Sequence, residues 1–515
     1  MQHDIPAPRS SQVHKPSGTL WQRLGQFSVL DWSYGLVLTL AIVLLTVNLT
    51  TYPVPWFDEG YFLSVAKTLA QDGLYALPDS AGSRIMDSSI GSGPTLIVPI
   101  ALMFEVTGVG MLQARLVAVA MGLFALGVYI VLARRLVGPT AALGATILLL
   151  AGTPEPYTGF VMLSRQALGE VLAFGWFVCG IWCWLHAHDK GRSRWQWLIF
   201  SGLAFGFAIV TKSQSQVVLP VVLAAICLAD RLYYRQSTWM AFIVPGLIAG
   251  GCAAAWYGIQ LLVLGFAGFV ENINMLRIGA ATISPGFDLS LVRNAIGSLW
   301  RSGFLLWGLP GLLYGVWLAR TRNHSGLTHA WVLTLVVIWL IWFVFFSIGW
   351  ARYGFVALAL LPIWSARLIY DTIRNNGMWV RGVIAVAVVA LLTFNSYPLL
   401  SGIFGPQDHS AAEFSAYLNE HIPSDAVVES WEWNLDVTAS QQFHHPPSLV
   451  LYQAINLMQR GEQLPPDAYD PAVGQAEYLI DGPFSNWTGI YRSYIEHYGE
   501  HEVSYGPYTL YRIDR

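Results

Sequence analysis

Long apolar runs recur along this chain from residue 33 to residue 400, and they constrain its fold more than any motif does. A helix needs about 20 apolar residues to cross the hydrocarbon layer of a bilayer, which is about 30 Å thick. Eleven runs approach or exceed this length, at residues 33–51, 112–133, 139–156, 168–187, 195–211, 216–232, 238–264, 303–319, 328–348, 354–370 and 382–400. Only 11% of the residues are charged, whereas soluble proteins carry about 25%. The sequence therefore predicts a mostly α-helical membrane protein with about eleven spans.

One further apolar run, residues 94–107, is short and contains Glu105. We interpret it as a helix lying along the membrane surface. Residues 1–32 lack a short apolar stretch with a cleavage site, so the first span is expected to be an uncleaved anchor. The sequence has no phosphate-binding loop, no dinucleotide-binding fingerprint and no zinc-type spacing of Cys and His. The net charge of −3 gives no indication of nucleic-acid binding.

Basic residues predict which loops face the cytoplasm, because cytoplasmic loops carry an excess of Lys and Arg. With residues 1–32 in the cytoplasm, eleven spans put 15 of the 28 Lys and Arg residues inside and leave residues 401–515 outside. The 15 are Arg9, Lys15, Arg23, Arg134, Arg135, Lys190, Arg192, Arg194, Arg231, Arg235, Arg320, Arg322, Arg367, Arg374 and Arg381. The sequence thus predicts a multi-pass protein of the cell membrane.

The segment after the last span alternates between helical and strand-like patterns. "SAAEFSAYLNEHI" has a 3.6-residue period, "AVVESW" and "AEYLIDG" read as strands, and "EVSYGPYTLYRI" reads as two strands around a turn at Gly506-Pro507. We expect residues 33–400 to form the membrane domain, with an outer loop at 52–111, and residues 401–515 to form a small extracytoplasmic α/β domain. The aromatic residues in "ESWEWNLD" and "QQFHHPPSL" suit either sugar stacking or a core.

Several charged side chains remain unexplained at the predicted outer ends of the spans. Two carboxylates, Asp58 and Glu59, follow the first span; Glu170 opens the fourth. Nine cations are left after the cytoplasmic loops and the tail are removed: Lys67, Arg84, Arg115, Arg165, Lys212, Arg277, Arg293, Arg301 and Arg352. Charges at membrane depth usually pair, line a cavity or reach back to the interface.

Each of these groups also has a structural interpretation. Lys212 and Arg352 suit interfacial anchors, and Arg165 suits an ion pair with Glu170. Asp58 suits the N-cap of a helix that starts at Glu59 and ends at a C-terminal Gly73.

Taken together, the charges favour an enzyme. Carboxylates suit proton abstraction from a hydroxyl, and Lys and Arg suit a phosphate. An enzyme that joins a hydroxyl acceptor to a sugar phosphate needs both, and it needs a membrane if the leaving group is a lipid phosphate.

With these features the sequence resembles the polytopic GT-C glycosyltransferases, in the branch with the protein O-mannosyltransferases, aminoarabinose transferases and lipopolysaccharide galacturonosyltransferases. The matching segments are the Asp58-Glu59 pair, "GPTLIVPIALMFEVTG", "ARLVAVAMGLFALGVYIVLARRLVG", Thr211-Lys212, Arg352-Tyr353 and a soluble domain after the last span.

The resemblance implies transfer from a polyprenyl-monophosphate sugar to the hydroxyl of an extracytoplasmic lipid, glycan or protein, with inversion at the anomeric carbon. It implies catalytic roles for Asp58 and Glu59. It implies substrate binding by a further set of residues: Glu170, Lys212, Arg352, Tyr353, Arg165 and Arg84. No histidine occurs in the predicted outer membrane loops, so we assign no metal ligand, and a divalent cation is left open.

Two other functions compete with this one. A lipid-linked saccharide transporter or flippase would have internal repeats and broken helices near the midplane, but the unexplained charges here lie at one face. A polysaccharide polymerase or ligase would rest on arginines in long outer loops rather than on an acidic pair after the first span.

Overall fold

The structure, a computed structural model, describes residues 28–80, 82–189, 194–459, 461–465 and 468–513. Its first half contains helices α1 Val29–Thr46, α2 Phe57–Asp72, α3 Pro94–Thr107, α4 Met111–Val137, α5 Pro139–Ala151, α6 Phe160–Ser164, α7 Glu170–Asp189, α8 Arg194–Thr211 and α9 Gln214–Ala229. The membrane part continues with α10 Met240–Ile283, α11 Leu289–Arg301, α12 Leu309–Ala319, α13 His324–Phe346, α14 Phe355–Leu360, α15 Pro362–Asn375 and α16 Met378–Phe404.

The remaining elements are short. A hairpin of β1 Ala76–Asp79 and β2 Gly82–Ile85 follows α2. The tail contains α17 Ser410–His421, β3 Val427–Ser430, α18 Trp433–Asp436, β4 Gln442–His444, α19 Ser448–Gln459, β5 Tyr478–Asp481, α20 Pro483–Thr488, α21 Arg492–Tyr498, β6 Gly499–Tyr505 and β7 Tyr508–Ile513. Single-turn or π-helical pieces occur at Pro156–Thr158, Asp230–Tyr234, Phe304–Gly308, Ala351–Gly354 and Pro471–Gly474.

The helices confirm a membrane-embedded, mostly α-helical protein. Within the described residues, seven helices are long and apolar enough to cross a bilayer, and two bent pairs of helices raise that number to nine. Helices α5 and α8 cover the two other predicted spans, with 13 and 18 residues. Every predicted span therefore coincides with a helix, while the number of crossings stays a prediction.

The predicted surface segment is helix α3, which begins with Pro94 in its first turn and has 14 residues. At 1.5 Å per residue it is about 21 Å long, too short to cross the hydrocarbon layer unaided.

Helix α10 extends well beyond the predicted end at residue 264. It bends at Gly265, whose φ of 68° is in the left-handed region, and runs on to Ile283. In this second half the side chain of Asn272 accepts the Ser88 N–H at 2.8 Å and donates to the Met86 carbonyl at 2.9 Å. The polar residues after Gly265 therefore hold the loop that follows β2.

The tail forms a five-stranded sheet in the order β4-β3-β5-β7-β6. Strands β4, β3 and β5 are parallel, whereas β7 runs antiparallel to β5 and β6. The four tail segments form the elements predicted for them: one helix, two separate strands and two strands joined by a turn. The turn contains Gly506, whose φ is 54°. Strand β4 and helix α19 were not predicted. The α/β fold of the tail is therefore confirmed, and its domain boundary at residue 401 stays a prediction.

Helix α2 is the main contact of the membrane part with the tail. Gly60 packs so closely on the backbone of Trp433 and Asn434 that a Cβ would overlap the Asn434 nitrogen. The Lys67 ammonium pairs with the Asp436 carboxylate at 2.9 Å. The Trp431 and Trp433 side chains are buried at this contact, which favours the core interpretation of these two aromatic residues.

Candidate active site

A cavity of about 340 Å³ lies between the start of α2, the loop before α7, the end of α8, the Ala351–Gly354 turn and the tail. Four predicted site residues line it: Asp58, Lys212, Arg352 and Tyr353. Aromatic rings form much of the remaining wall, from Trp56, Phe57, Tyr61, Phe62, Tyr157, Trp350, Tyr452, Phe484 and Trp487.

Asp58 faces this cavity rather than capping its helix. Helix α2 starts at Phe57, two residues before the predicted start at Glu59, and Trp56 is its N-cap residue without a side-chain cap bond. The interpretation of Asp58 as an N-cap is therefore wrong, although the predicted C-terminal Gly73 is correct, with a φ of 70°. The Asp58 carboxylate instead accepts two hydrogen bonds from the Arg352 guanidinium, at 2.6 and 3.2 Å.

Two further charges continue from this pair. The Arg352 Nε lies 3.6 Å from Glu170 Oε1, and the Lys212 Nζ lies 3.1 Å from the same oxygen. Asp58, Arg352, Glu170 and Lys212 thus form a row of alternating charge, which we call the ion row. Two cations and two carboxylates balance one another in it, so an arriving phosphate can replace a carboxylate as partner of a cation.

Local backbone packing fixes the position of Lys212. Its ammonium donates to the Ser92 hydroxyl at 3.0 Å and to the Leu168 carbonyl at 2.6 Å. The Gly93 N–H donates to the Thr211 carbonyl at 2.9 Å, and a Cβ at Gly93 would collide with the Val210 carbonyl. The Gly-Pro start of α3 therefore joins the end of α8 closely enough to hold Lys212 in the site.

Aromatic rings hold Arg352. Its guanidinium lies 5.0 Å from the Trp350 ring centroid and 5.5 Å from that of Tyr353, within cation–π range. The Trp339 indole donates to the Tyr353 carbonyl at 2.6 Å and fixes the turn. The side chains of Arg352 and Lys212 are only 14% and 8% exposed, which does not fit interfacial anchors.

Glu59 lies behind the cavity rather than in it. Its fully buried carboxylate pairs bidentately with the Arg115 guanidinium and accepts the Ala167 N–H at 3.1 Å. Arg115 also donates to the Leu49 carbonyl at 2.7 Å. The contacts of Glu59 join α2 to α4 and to the loop between α6 and α7. They suit a positioning role, and the catalytic role of Glu59 stays a prediction.

Arg165 and Arg84 also lie outside the described cavity lining. Arg165 does not pair with Glu170; its buried guanidinium donates to four backbone carbonyls at the end of α1 and in the loop after it, namely those of Leu44, Val47, Asn48 and Tyr52. Arg84 pairs with Asp87 at 2.9 Å. The expected ion pair of Arg165 is therefore wrong. The contacts of both arginines suit structural roles, and their part in substrate binding stays a prediction.

The tail supplies a wall of the site that the sequence did not predict. Its residues in the lining are Leu451, Tyr452, Ile455, Phe484 and Trp487. Phe484 stacks on Phe57 with ring centroids 3.7 Å apart. The only sequence signal was the aromatic content of the tail, which does not distinguish a cavity wall from a core.

The residues at the cavity do not fit a protein-bound divalent cation. Within the described ranges no group of three or more His, Cys, Asp or Glu residues could hold a metal ion. The two carboxylates at the site, Asp58 and Glu170, each already contact a cationic side chain.

Comparison with known proteins agrees with this architecture. A family model described as Dolichyl-phosphate-mannose-protein mannosyltransferase matches residues 93–256, which include Glu170 and Lys212. The crystal structure of ArnT from Cupriavidus metallidurans bound to undecaprenyl phosphate matches with a TM-score of 0.65 and 17% identity, over 94% of this chain and 98% of that chain. This chain has the GT-C glycosyltransferase fold.

Other structures with the GT-C fold match over most of the chain. The oligosaccharyltransferase of Archaeoglobus fulgidus matches with a TM-score of 0.58 and 12% identity, over 94% of this chain and 74% of that one. Its complex with an inhibitory peptide and a dolichol-phosphate gives a TM-score of 0.55 at 12% identity, over 92% and 74% of the two chains. No curated protein sequence matches. These structural matches confirm the GT-C fold that the resemblance predicted, and the family model over residues 93–256 agrees with a glycosyltransferase.

Proposed function

We propose that this GT-C glycosyltransferase transfers a sugar from a polyprenyl-monophosphate donor to a hydroxyl group of an extracytoplasmic acceptor. The observation that carries the proposal is the ion row, which has the Asp58 carboxylate at one end and the Lys212 ammonium at the other. Lysine is a common ligand of phosphate groups. ArnT and the archaeal oligosaccharyltransferase were solved with undecaprenyl phosphate and dolichol-phosphate, respectively, and these ligands suggest the donor class.

In this proposal Lys212 and Arg352 bind the lipid phosphate. Lys acts as a point charge and Arg forms bidentate hydrogen bonds with phosphate oxygens. Their buried setting strengthens this interaction, because charges attract more strongly where water is excluded. Glu170 lies between the two cations and keeps both oriented.

Asp58 is the proposed general base. As the acceptor oxygen forms its bond to the anomeric carbon, its proton passes to the Asp58 carboxylate. The bond between the anomeric carbon and the phosphate oxygen breaks, and its electron pair stays on the phosphate, whose charge Lys212 and Arg352 stabilise. Asp58 stands at one end of the ion row, next to Arg352, and Lys212 stands at the other end. An acceptor on the Asp58 side and a phosphate held by Arg352 and Lys212 suit a single displacement with inversion.

The transporter alternative is less well supported. A transporter needs substrate groups near the bilayer midplane, whereas Asp58, Lys212 and Arg352 all lie at helix ends beside the tail. We therefore favour an enzyme of the cell membrane, with the tail on the extracytoplasmic side.

Purified protein in detergent can test the donor. Labelled sugar should pass to an acceptor lipid, glycan or peptide from a polyprenyl monophosphate and not from a nucleotide sugar. Efficient use of the nucleotide sugar would disprove the proposed donor, and Lys212→Ala is the matched inactive control.

A further inference from the structure

A second cavity, of about 560 Å³, adjoins the first one on the side of α11. The two cavities share Trp350, Ala351, Ile455 and Trp487 in their linings. The second cavity is also lined by Leu291, Arg293, Asn294, Gly297, Arg301, Ile348, Gly349, Met458 and Gln459. Trp487 is half exposed and stands where one cavity passes into the other.

Helix α11 divides into three faces around this cavity. One face is buried, with Leu291, Val292, Ala295 and Ser298. A second face lines the cavity with Arg293, Asn294, Gly297 and Arg301. The third is an exposed apolar stripe of Leu289, Ile296 and Trp300, which are 73%, 54% and 70% exposed. At 100° per residue this stripe lies directly beside Arg293, so the cavity opens next to an apolar surface.

The charge of this cavity is positive. Arg293 and Arg301 are its only ionisable lining residues in the described part of the chain. Arg301 contacts the Glu155 carboxylate through Nε at 2.9 Å, which leaves its two terminal nitrogens available. Arg293 is exposed and has no carboxylate partner among the described ion pairs. Arg293 and Arg301 lie about two helical turns apart along α11. Two guanidinium groups at this spacing suit an anionic group with several oxygens.

We propose that the second cavity binds the anionic headgroup of a lipid-anchored acceptor. The headgroup contacts Arg293 and Arg301, and the acyl chains lie along the stripe of Leu289, Ile296 and Trp300. The inference rests on the proposed function, since it supplies the acceptor for that reaction. It narrows the acceptor from lipid, glycan or protein to an amphiphile with phosphate or carboxylate groups.

The shared residues lead this acceptor toward the proposed base. Trp350 and Trp487 line both cavities, and aromatic side chains suit stacking on sugar rings. A hydroxyl that passes them enters the cavity that holds Asp58. The lipid donor and the lipid acceptor would then approach the ion row from different sides.

The test measures binding and requires no sugar transfer, so its outcome is independent of the donor experiment. Native mass spectrometry of the purified full-length protein compares dioleoyl phosphatidic acid, dioleoyl phosphatidylcholine and glucose 1-phosphate. We expect the wild type to prefer phosphatidic acid over phosphatidylcholine by about 10-fold or more, in line with charge-assisted hydrogen bonds. The double variant Arg293→Gln/Arg301→Gln should lose this preference. Arg277→Gln is the matched control, because Arg277 is exposed on α10 and lies outside both cavities.

Two further variants make the result decisive. Glu155→Gln frees Arg301 and should tighten phosphatidic acid binding, which keeps a positive readout if the double variant folds poorly. Lys212→Ala should keep the preference. A preference lost in Lys212→Ala but kept in the double variant would place the anion at the ion row and overturn the proposal. Equal binding of glucose 1-phosphate and phosphatidic acid would show a site for soluble anions and overturn it as well.

Discussion

Arg352 and Asp58, 294 residues apart in sequence, meet through two hydrogen bonds of 2.6 and 3.2 Å. The pair joins the start of α2 to the turn before α14, so it closes one side of the cavity. It also holds the Asp58 carboxylate in a single orientation. Under the proposed function, the donor phosphate accepts hydrogen bonds from the Arg352 guanidinium. One Asp58 oxygen then loses its arginine partner and can accept the proton of the acceptor hydroxyl.

The first prediction concerns Asp58→Asn. Asn keeps the shape of the side chain but cannot take the acceptor proton, so turnover should fall by about 10²- to 10⁴-fold. Donor binding should change little, because the lost interaction belongs mainly to the transition state. Initial rates and donor binding by the purified variant measure the two effects.

Glu59→Gln is the matched control for this variant. It leaves the buried Arg115 guanidinium without its carboxylate partner, and removal of one member of a buried pair costs about 3–5 kcal/mol. Glu59→Gln should therefore lower the unfolding temperature strongly, whereas Asp58→Asn should not. A stable and fully active Asp58→Asn protein would remove the base role from Asp58.

The second prediction concerns the phosphate cations. Lys212→Ala should lower activity by about 10²-fold or more, as expected when one transition-state electrostatic partner is removed. Lys212→Arg should recover part of the activity, because the charge is kept. Steady-state rates with the polyprenyl-phosphate donor check both variants.

Arg84→Ala serves as the control for a lost outer cation. The Arg84 side chain is 31% exposed and pairs with the buried carboxylate of Asp87 outside the cavity, so Arg84→Ala should lower stability by leaving that carboxylate without its cation. Its activity should stay near that of the wild type. A similar loss in Arg84→Ala and Lys212→Ala would contradict a specific role for the ion row.

Part of the site could be predicted from the sequence because charge at a helix end near a membrane needs an explanation. That argument selected Asp58, Glu170, Lys212 and Arg352, which the structure brings together. It did not separate Asp58 from Glu59. Neighbouring helix positions point about 100° apart, and the sequence does not tell which of the two faces the cavity and which packs on Arg115.

Other features depended on contacts between distant parts of the chain. The walls from Tyr452 and Trp487 require the tail to pack on α2, and no local pattern encodes that docking. The second half of α10 was missed because its polar residues around Asn272 break the apolar run on which span prediction depends.

The third prediction concerns pH. Burial raises the pKa of Glu429 to about 8, although the Tyr491 hydroxyl donates to its carboxylate at 2.8 Å. The folded protein then binds more protons than the unfolded chain between about pH 4.5 and 8, so this group's contribution to stability is lost as the pH rises through that window. Glu429→Gln should flatten the fall of unfolding temperature over this range. An unchanged pH profile in the variant would contradict the raised pKa, and thermal unfolding in detergent measures it.

The fourth prediction concerns sidedness. In a background with the native cysteines replaced by alanine, Asp425→Cys in the tail should react with an impermeant thiol reagent in intact cells. Asn375→Cys, at the end of α15, should react only after the membrane is opened. Both positions are exposed in the fold, so a difference reports the side of the membrane. Labelling of Asn375→Cys alone in intact cells would reverse the predicted topology.

The last prediction concerns the docking of the tail on the helix that carries Asp58. Gly60→Ala adds a Cβ that would overlap the Asn434 backbone, so α2 and the tail must move apart. Because Phe484 and Trp487 line the cavity from the tail, we expect Gly60→Ala to lower both activity and resistance of the tail to proteolysis. Gly35→Ala is the control, since a Cβ at Gly35 in α1 meets nothing within 4 Å, and Ala is favoured over Gly in a helix by about 1 kcal/mol. Wild-type activity and protease resistance in Gly60→Ala would show that the close contact between α2 and the tail is not needed to form the site.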